Sequence, residues 1–213
     1  MNLVEEFPVL TRSRRISPEI LQVLQSIDTW GVRRGRTTGK ALTRLDEMTL
    51  LTLPEVVERA VGGDHPELVK VLHRLAVLYH ARDNPDKAES LYRRALDTAE
   101  RAFQEPNVEM GLAMNNLGRL LYDRKKFAEA EELCRRAIKV LQQILGAEHP
   151  KLATPLSNLA ALCLSQDLPE LAEDYHEDSM AILEKAHGPE HPKVVKARTK
   201  WAAAKSRKHP SPN

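Results

Sequence analysis

The sequence predicts an all-α fold, a solenoid of antiparallel helix hairpins. Three observations carry that expectation. A shift of 42 residues superposes Leu75, Leu117 and Leu159, then Leu78, Leu120 and Leu162. The same shift superposes the small residues Ala76, Gly118 and Ala160, Ala88, Ala130 and Ala172, and Ala95, Ala137 and Ser179. Self-similarity at a fixed period of this length marks stacked repeats, each too small to bury its apolar face alone. The composition agrees: of 213 residues, 42% are hydrophobic but only 4% aromatic, with abundant Ala and Leu favouring helix over sheet.

Each unit reads as two helices. In the first unit Asp64 stands as N-cap candidate, Glu67 three residues on suggests a capping box, and Pro66 suits the opening turn. Leu68, Leu72, Leu75 and Tyr79 then form one apolar stripe. The segment "ARDNPDK" breaks this helix, and Asn84 with Pro85 opens a second through Ala88, Leu91, Ala95 and Leu96. The recurrent small residues fit a close helix crossing, where a large side chain would hold the backbones apart. Three units are expected over about 65–104, 105–146 and 147–188, and His-Pro recurs at 65, 149 and 191. The second unit departs, with "QEPNVEM" in place of His-Pro. A fourth opening helix, "HPKVVKARTKWAAAKS", has no partner and reads as a terminal cap. Trp201 fills its Leu slot while Lys196, Arg198, Lys200 and Lys205 keep it wet.

The extension before the repeats, residues 1–63, has its own helical signals. Ser17 and Pro18 open a segment carrying Ile20, Leu21, Leu24 and Ile27 on one face, and Thr52 with Glu55 suggests a capping box for "LPEVVERAV". These helices are expected to cover the apolar edge of the first unit, with 31–40 a mobile loop. The repeats occupy 64–206, and 207–213 reads as a flexible tail.

Paired helices with a small residue in the first ("LAVLY", "LGRLL", "LAALC") and two alanines in the second ("KAESLYRRAL") resemble tetratricopeptide repeats. The period, the "LGAEHP" and "HGPEHP" linkers, and "MNNLG" and "LSNLA" are similar to the kinesin-light-chain type, over roughly residues 64–205. The resemblance implies a right-handed superhelix of about three units plus a capping helix. It also implies a non-catalytic scaffold or adaptor that binds a protein or extended peptide along its opening helices. The heptad coiled coil of a full kinesin light chain is not matched.

The face expected to bind carries His73, Val77 and His80 in the first unit, Asn115, Arg119 and Tyr122 in the second, and Ser157, Ala161 and Leu164 in the third. Arg74, Asn116 and Asn158 lie beside it. By resemblance, Asn116 and Asn158 would hydrogen-bond a peptide backbone, a task suited to an amide that donates and accepts. Arg119 suits an acidic group and Tyr122 an apolar one. Val77 and Ala161 stand where a chaperone-type basic clamp needs polar groups, so that ligand class is not expected.

Other chemistries find little support. The linker histidines are whole repeats apart, and His73 and His80 lie two turns apart, about 10 Å of rise, so no metal or other cofactor is expected. Glu129, Glu131 and Glu132 meet Arg135 and Arg136 one turn on, a salt-bridged surface with no nucleophile coupled to a base. "WGVRRGRTTGK" lacks the spacing and the hydroxyl of a phosphate loop. Residues 11–44 carry Arg12, Arg14, Arg15, Arg33, Arg34, Arg36, Lys40 and Arg44 against Glu19 and Asp28, a balance of +6 in a chain of net +2. This is the alternative reading: an arm that contacts RNA or DNA. Cys134 and Cys163 read as reduced core residues, no apolar run spans a membrane, and a cytoplasmic location is expected.

Overall fold

In a computed structural model, residues 9–10 and 47–208 are described. They form α-helices and one short 3-10 turn, with no strand among the described residues. The helices are α1 (Glu47–Val61), α2 (Pro66–Ala81), α3 (Pro85–Ala102), α4 (Val108–Asp123) and α5 (Phe127–Leu145). After a 3-10 turn at Pro150–Leu152 come α6 (Ala153–Ser165), α7 (Pro169–His187) and α8 (Pro192–Lys208). The hairpins α2–α3, α4–α5 and α6–α7 are the three expected repeats, and α8 is the unpaired opening helix. The chain divides into two compact units, Met1–Glu109 and Met110–Asn213.

In the first unit, α2 packs on α3 and α1 packs on α2. Leu10, Leu50, Leu53 and Val57 are buried in one cluster with Leu68, Leu72, Leu75 and Leu78. The described part of the extension, Leu10 and α1, therefore covers the apolar edge of the first hairpin; the helix expected from Ser17 and Pro18, the loop 31–40 and the tail from 209 lie outside the described residues. Arg94 on α3 ties α1 down further, donating to Glu58 at 2.7 Å. In the second unit, Cys163, Leu164 and Ala172 form a small core against which Leu171, Tyr175, Trp201 and Ala204 pack.

The turn inside each hairpin repeats at the atomic level. Asp83, Lys125 and Asp167, each 42 residues from the next, take positive φ of 58°, 62° and 60°. The following amide donates back to the carbonyl five residues earlier: Asn84 to Tyr79, Lys126 to Leu121 and Leu168 to Cys163, at 2.9, 2.9 and 3.0 Å. This turn satisfies carbonyls that a helix end leaves open, at the expense of a left-handed residue that is not glycine. Lys125→Gly is therefore expected to raise stability. Removing about 1–2 kcal/mol of left-handed strain outweighs about 0.4–1 kcal/mol of added chain entropy in the unfolded state. The urea midpoint of the variant would show it.

Three cap assignments need correction. Asp64 does not cap α2; its carboxylate accepts from Arg101 Nε at 2.7 Å. The cap is His65, whose Nδ1 accepts from the Glu67 amide at 3.1 Å. His149 and His191 do the same for Lys151 and Lys193, at 3.1 and 3.2 Å. A histidine followed by proline is the recurrent N-terminal stop of this fold, with the ring supplying the acceptor and Pro at a position whose missing N–H costs nothing. Glu67 consequently closes no capping box and is 3% exposed, accepting from the amides of Val9 and Leu10 at 2.7 and 2.8 Å. Thr52 likewise begins no helix, because α1 already runs from Glu47 and carries Pro54 inside it. The neighbouring hairpin's apolar surface, which buries Leu50, Leu53 and Val57, outweighs the interruption that a proline makes in the local ladder. Asn84 caps α3 as expected, its Oδ1 accepting from Lys87 at 3.3 Å.

Candidate functional site

The opening helices of the second unit, α4, α6 and α8, line two adjoining cavities that share Asn158, Ala161, Lys200 and Ala204. The first, of about 280 Å³, lies between α6, α7 and α8. Ala153, Ala161, Leu183 and Trp201 contribute apolar walls, while Lys193, Lys196 and Lys200 stand along one side. Those lysines fall at spacings of three and four, so a single stripe of α8 presents them. The second cavity, of about 330 Å³, is lined by Arg119, Tyr122 and Asp123 of α4 together with residues of α6 and α8. Gly118 of α4 also lines it.

The expected groove residues divide. Asn158, Arg119 and Tyr122 are brought to these cavities. Arg119 donates through Nε to both Asp123 carboxylate oxygens, at 3.2 and 3.1 Å, so it arrives already neutralised. The Tyr122 hydroxyl accepts from Ser165 Oγ at 3.1 Å, and its ring tilts against Phe127 at 5.7 Å. Asn158 Nδ2 donates to Asn115 Oδ1 at 2.8 Å, and Asn115 Nδ2 donates to Asn116 Oδ1 at 3.4 Å. Asn115 is 3% exposed and Asn158 7%. An amide chain thus joins α4 to α6, and it runs through Asn115 rather than directly between Asn116 and Asn158. A buried amide without a partner would cost about 1–3 kcal/mol, which explains the pairing of these two. His73 and His80 belong to α2 in the first unit. His73 lies 5.8 Å from the Tyr92 ring, with Nδ1 3.8 Å from a Glu109 carboxylate oxygen.

Two readings of the face change. Leu164 and Asn115, expected to face outward, are 6% and 3% exposed; Leu164 packs with Cys163 and Ala172, and Asn115 is held in the amide chain. Lys196, Arg198, Lys200 and Lys205 of α8 are exposed, as expected, and several also have neighbours. Arg198 donates to Glu184 and Lys205 to Glu173, both at 2.7 Å, while Lys196 and Lys200 line the first cavity. Sequence reasoning missed His176, whose ring stacks on Trp201 at 4.4 Å. A signal was present: His176 follows Cys134 by one period, and Cys134 lies against the small residue Gly118 of its own opening helix.

Burial pushes the Cys134 thiol up to about 12, with Glu131 adding to the effect, and Cys163 shifts upward mainly for the same reason. Both thiols are free and buried, as expected of core cysteines. Among the described residues no group of three or more potential metal ligands exists. No helix among them is long and apolar enough to cross a membrane. The basic segment 11–44, and with it the nucleic-acid reading, lies outside the described residues.

The sequence profile described as Tetratricopeptide repeat matches residues 54–101 and 109–185, more than half of the chain. The chain belongs to the tetratricopeptide repeat family. Solved structures agree on the fold. A variant of a putative kinesin light chain from Podosopora anserina, described as having nearly identical TPR-like repeats, is 17% identical with a TM-score of 0.68, covering 90% of this chain and 88% of that one. BtubC from P. vanneervenii is 21% identical with a TM-score of 0.68, covering 99% and 93%. PilF of Pseudomonas aeruginosa is 20% identical with a TM-score of 0.54, covering 85% and 71%. A search of curated proteins returns no match. The tetratricopeptide repeats expected from the sequence are thus found, and these structures share their fold. Such repeats generally mediate protein–protein interactions and are generally non-catalytic.

Proposed function

We propose that this protein is a non-catalytic adaptor whose second unit holds an extended segment of a partner protein along α4, α6 and α8. The observation that supports the reading is the pair of adjoining cavities with Asn158 common to both. Asn158 spends one of its two N–H groups on Asn115, so what it offers a ligand is a carbonyl oxygen for one backbone N–H and a second N–H for a backbone C=O. Neighbouring alanines and Trp201 suit an apolar side chain, and Lys193, Lys196 and Lys200 suit carboxylates beside it.

The test is recovery of partners from native extract on the intact chain, beside the variant Lys196→Glu/Lys200→Glu. Both lysines are exposed, so the reversal leaves the core untouched. Recovery of the principal partner is expected to fall by about tenfold or more, since like charges meeting across an interface cost several kcal/mol. Equal recovery would remove the cavities as the binding site.

A further inference from the structure

The docking of α8 concentrates histidine chemistry at one place. The helix carries seven basic residues and no acidic one. Its buried apolar anchor is slight: Val194 is fully buried, and Trp201 and Ala204 pack partly against the small core of Cys163, Leu164 and Ala172. The remaining ties are polar or aromatic. Lys205 meets Glu173, Arg198 meets Glu184, the His176 ring stacks on Trp201 at 4.4 Å, and the His187 ring stacks on His191 at 4.7 Å. His191 is also the residue whose Nδ1 accepts the Lys193 amide at the start of the helix.

We infer that α8 is an acid-released cap, docked while His176 and His187 are neutral and freed from α7 when they protonate.

The charges around each ring set the direction. His176 has Glu173 on its own helix, Lys205 on α8, and Lys193, Lys196 and Lys200 lining the same cavity. The α6 wall of that cavity contributes Thr154, Ser157 and Asn158, none of which titrates. A proton on His176 therefore enters a site with four lysines and a single carboxylate already paired with Lys205. An imidazolium on an indole face gains about 0.5–1 kcal/mol where solvent reaches it, too little to offset that surplus together with desolvation. His176 is accordingly lowered from its ordinary value, by burial first, with Glu173 opposing and Lys205 reinforcing. His187 is lowered as well, by desolvation and then by Lys193 and His191.

Both shifts are downward, so the released helix binds protons more tightly than the docked one. Docking is at full strength above the ordinary value of 6.5 and is lost as pH falls from there through the docked values. Because α8 walls both cavities, its release would dismantle the groove. That consequence rests on the proposed function; the release itself does not.

Amide hydrogen exchange on the full chain, corrected for the intrinsic pH dependence, reads the release without any partner. Protection across 192–208 is expected to fall about tenfold or more between about pH 7.5 and 5.5, while 153–187 stays protected. His176→Gln/His187→Gln should hold 192–208 protected over that range. Trp201→Ala serves as the reference for a loosened helix at neutral pH. Unchanged protection of α8 in the acid arm, an undiminished acid response in the double variant, or simultaneous loss across 153–187 would each overturn the inference. If release occurs but Lys196→Glu/Lys200→Glu leaves partner recovery intact, the cap stands and the groove assignment falls.

Discussion

Glu67→Ala is expected to unfasten the start of the chain from the first unit and to lower stability by about 2–4 kcal/mol. The carboxylate is 3% exposed and accepts from two backbone amides, Val9 at 2.7 Å and Leu10 at 2.8 Å. A hydrogen bond to a charged group contributes about 1.5–3 kcal/mol, and a donor left buried without an acceptor costs about 1–3 kcal/mol more. These contributions overlap, because the freed segment regains water, so the loss stays below their sum. Leu10 moves with the amides. Its side chain is fully buried among Leu50, Leu53 and Val57, and detachment would open that cluster. Glu67→Gln sharpens the test, since it keeps shape but turns an acceptor into an N–H facing another N–H. Denaturant unfolding of both variants, with exchange rates at Val9 and Leu10, measures the effect. A Glu67→Gln variant within about 0.5 kcal/mol of wild type would show that the carboxylate is not the fastener.

Gly118→Leu is expected to force α4 off α5, at a loss of about 3 kcal/mol or more, the upper range of overpacking. A β-carbon built at Gly118 would lie 2.9 Å from Cys134 Sγ and 3.1 Å from the Ala130 carbonyl oxygen. The first neighbour can rotate; the second is backbone and cannot. Gly118→Ala therefore sets two effects against each other. Alanine gains about 1 kcal/mol of helix propensity, while crowding a backbone oxygen costs about 1–3 kcal/mol, so net destabilisation is expected. Adding Cys134→Ala should recover only part of it, because the carbonyl remains. Thermal unfolding of the four chains closes the cycle, and a stabilised Gly118→Ala would show that the helices have room to part. By the 42-residue register the equivalent positions hold Ala76 and Ala160, both fully buried, and Tyr92 and His176 correspond to Cys134.

Much of this was legible in the chain. The 42-residue register located all three hairpins and the lone α8, and Asn84 with Pro85 marked the start of α3 correctly. The small-residue positions were read correctly as crossings, as Gly118 against Ala130 and Cys134 shows. Cap assignment was harder. Asp64 and His65 are adjacent and both can accept; Arg101, 37 residues on, takes the Asp64 carboxylate, and the cap falls to His65. The lining of the two cavities was half legible for the same reason. Asn158, Arg119 and Tyr122 sit where the register put them, yet the bond that orients Asn158 comes from Asn115, 43 residues away.

What the sequence determined by itself is everything that local periodicity controls: helix length, the apolar stripe, the hairpin turn and the spacing of small residues. These follow from interactions within a few residues of one another, repeated until no other pattern fits. Only the tertiary structure decided the partners of Glu67, Asn158 and Trp201. Each was settled by a group from another helix, brought within hydrogen-bonding or stacking distance by packing. A hydrogen bond is made or lost over less than an ångström, a distance that no periodicity in residue type specifies.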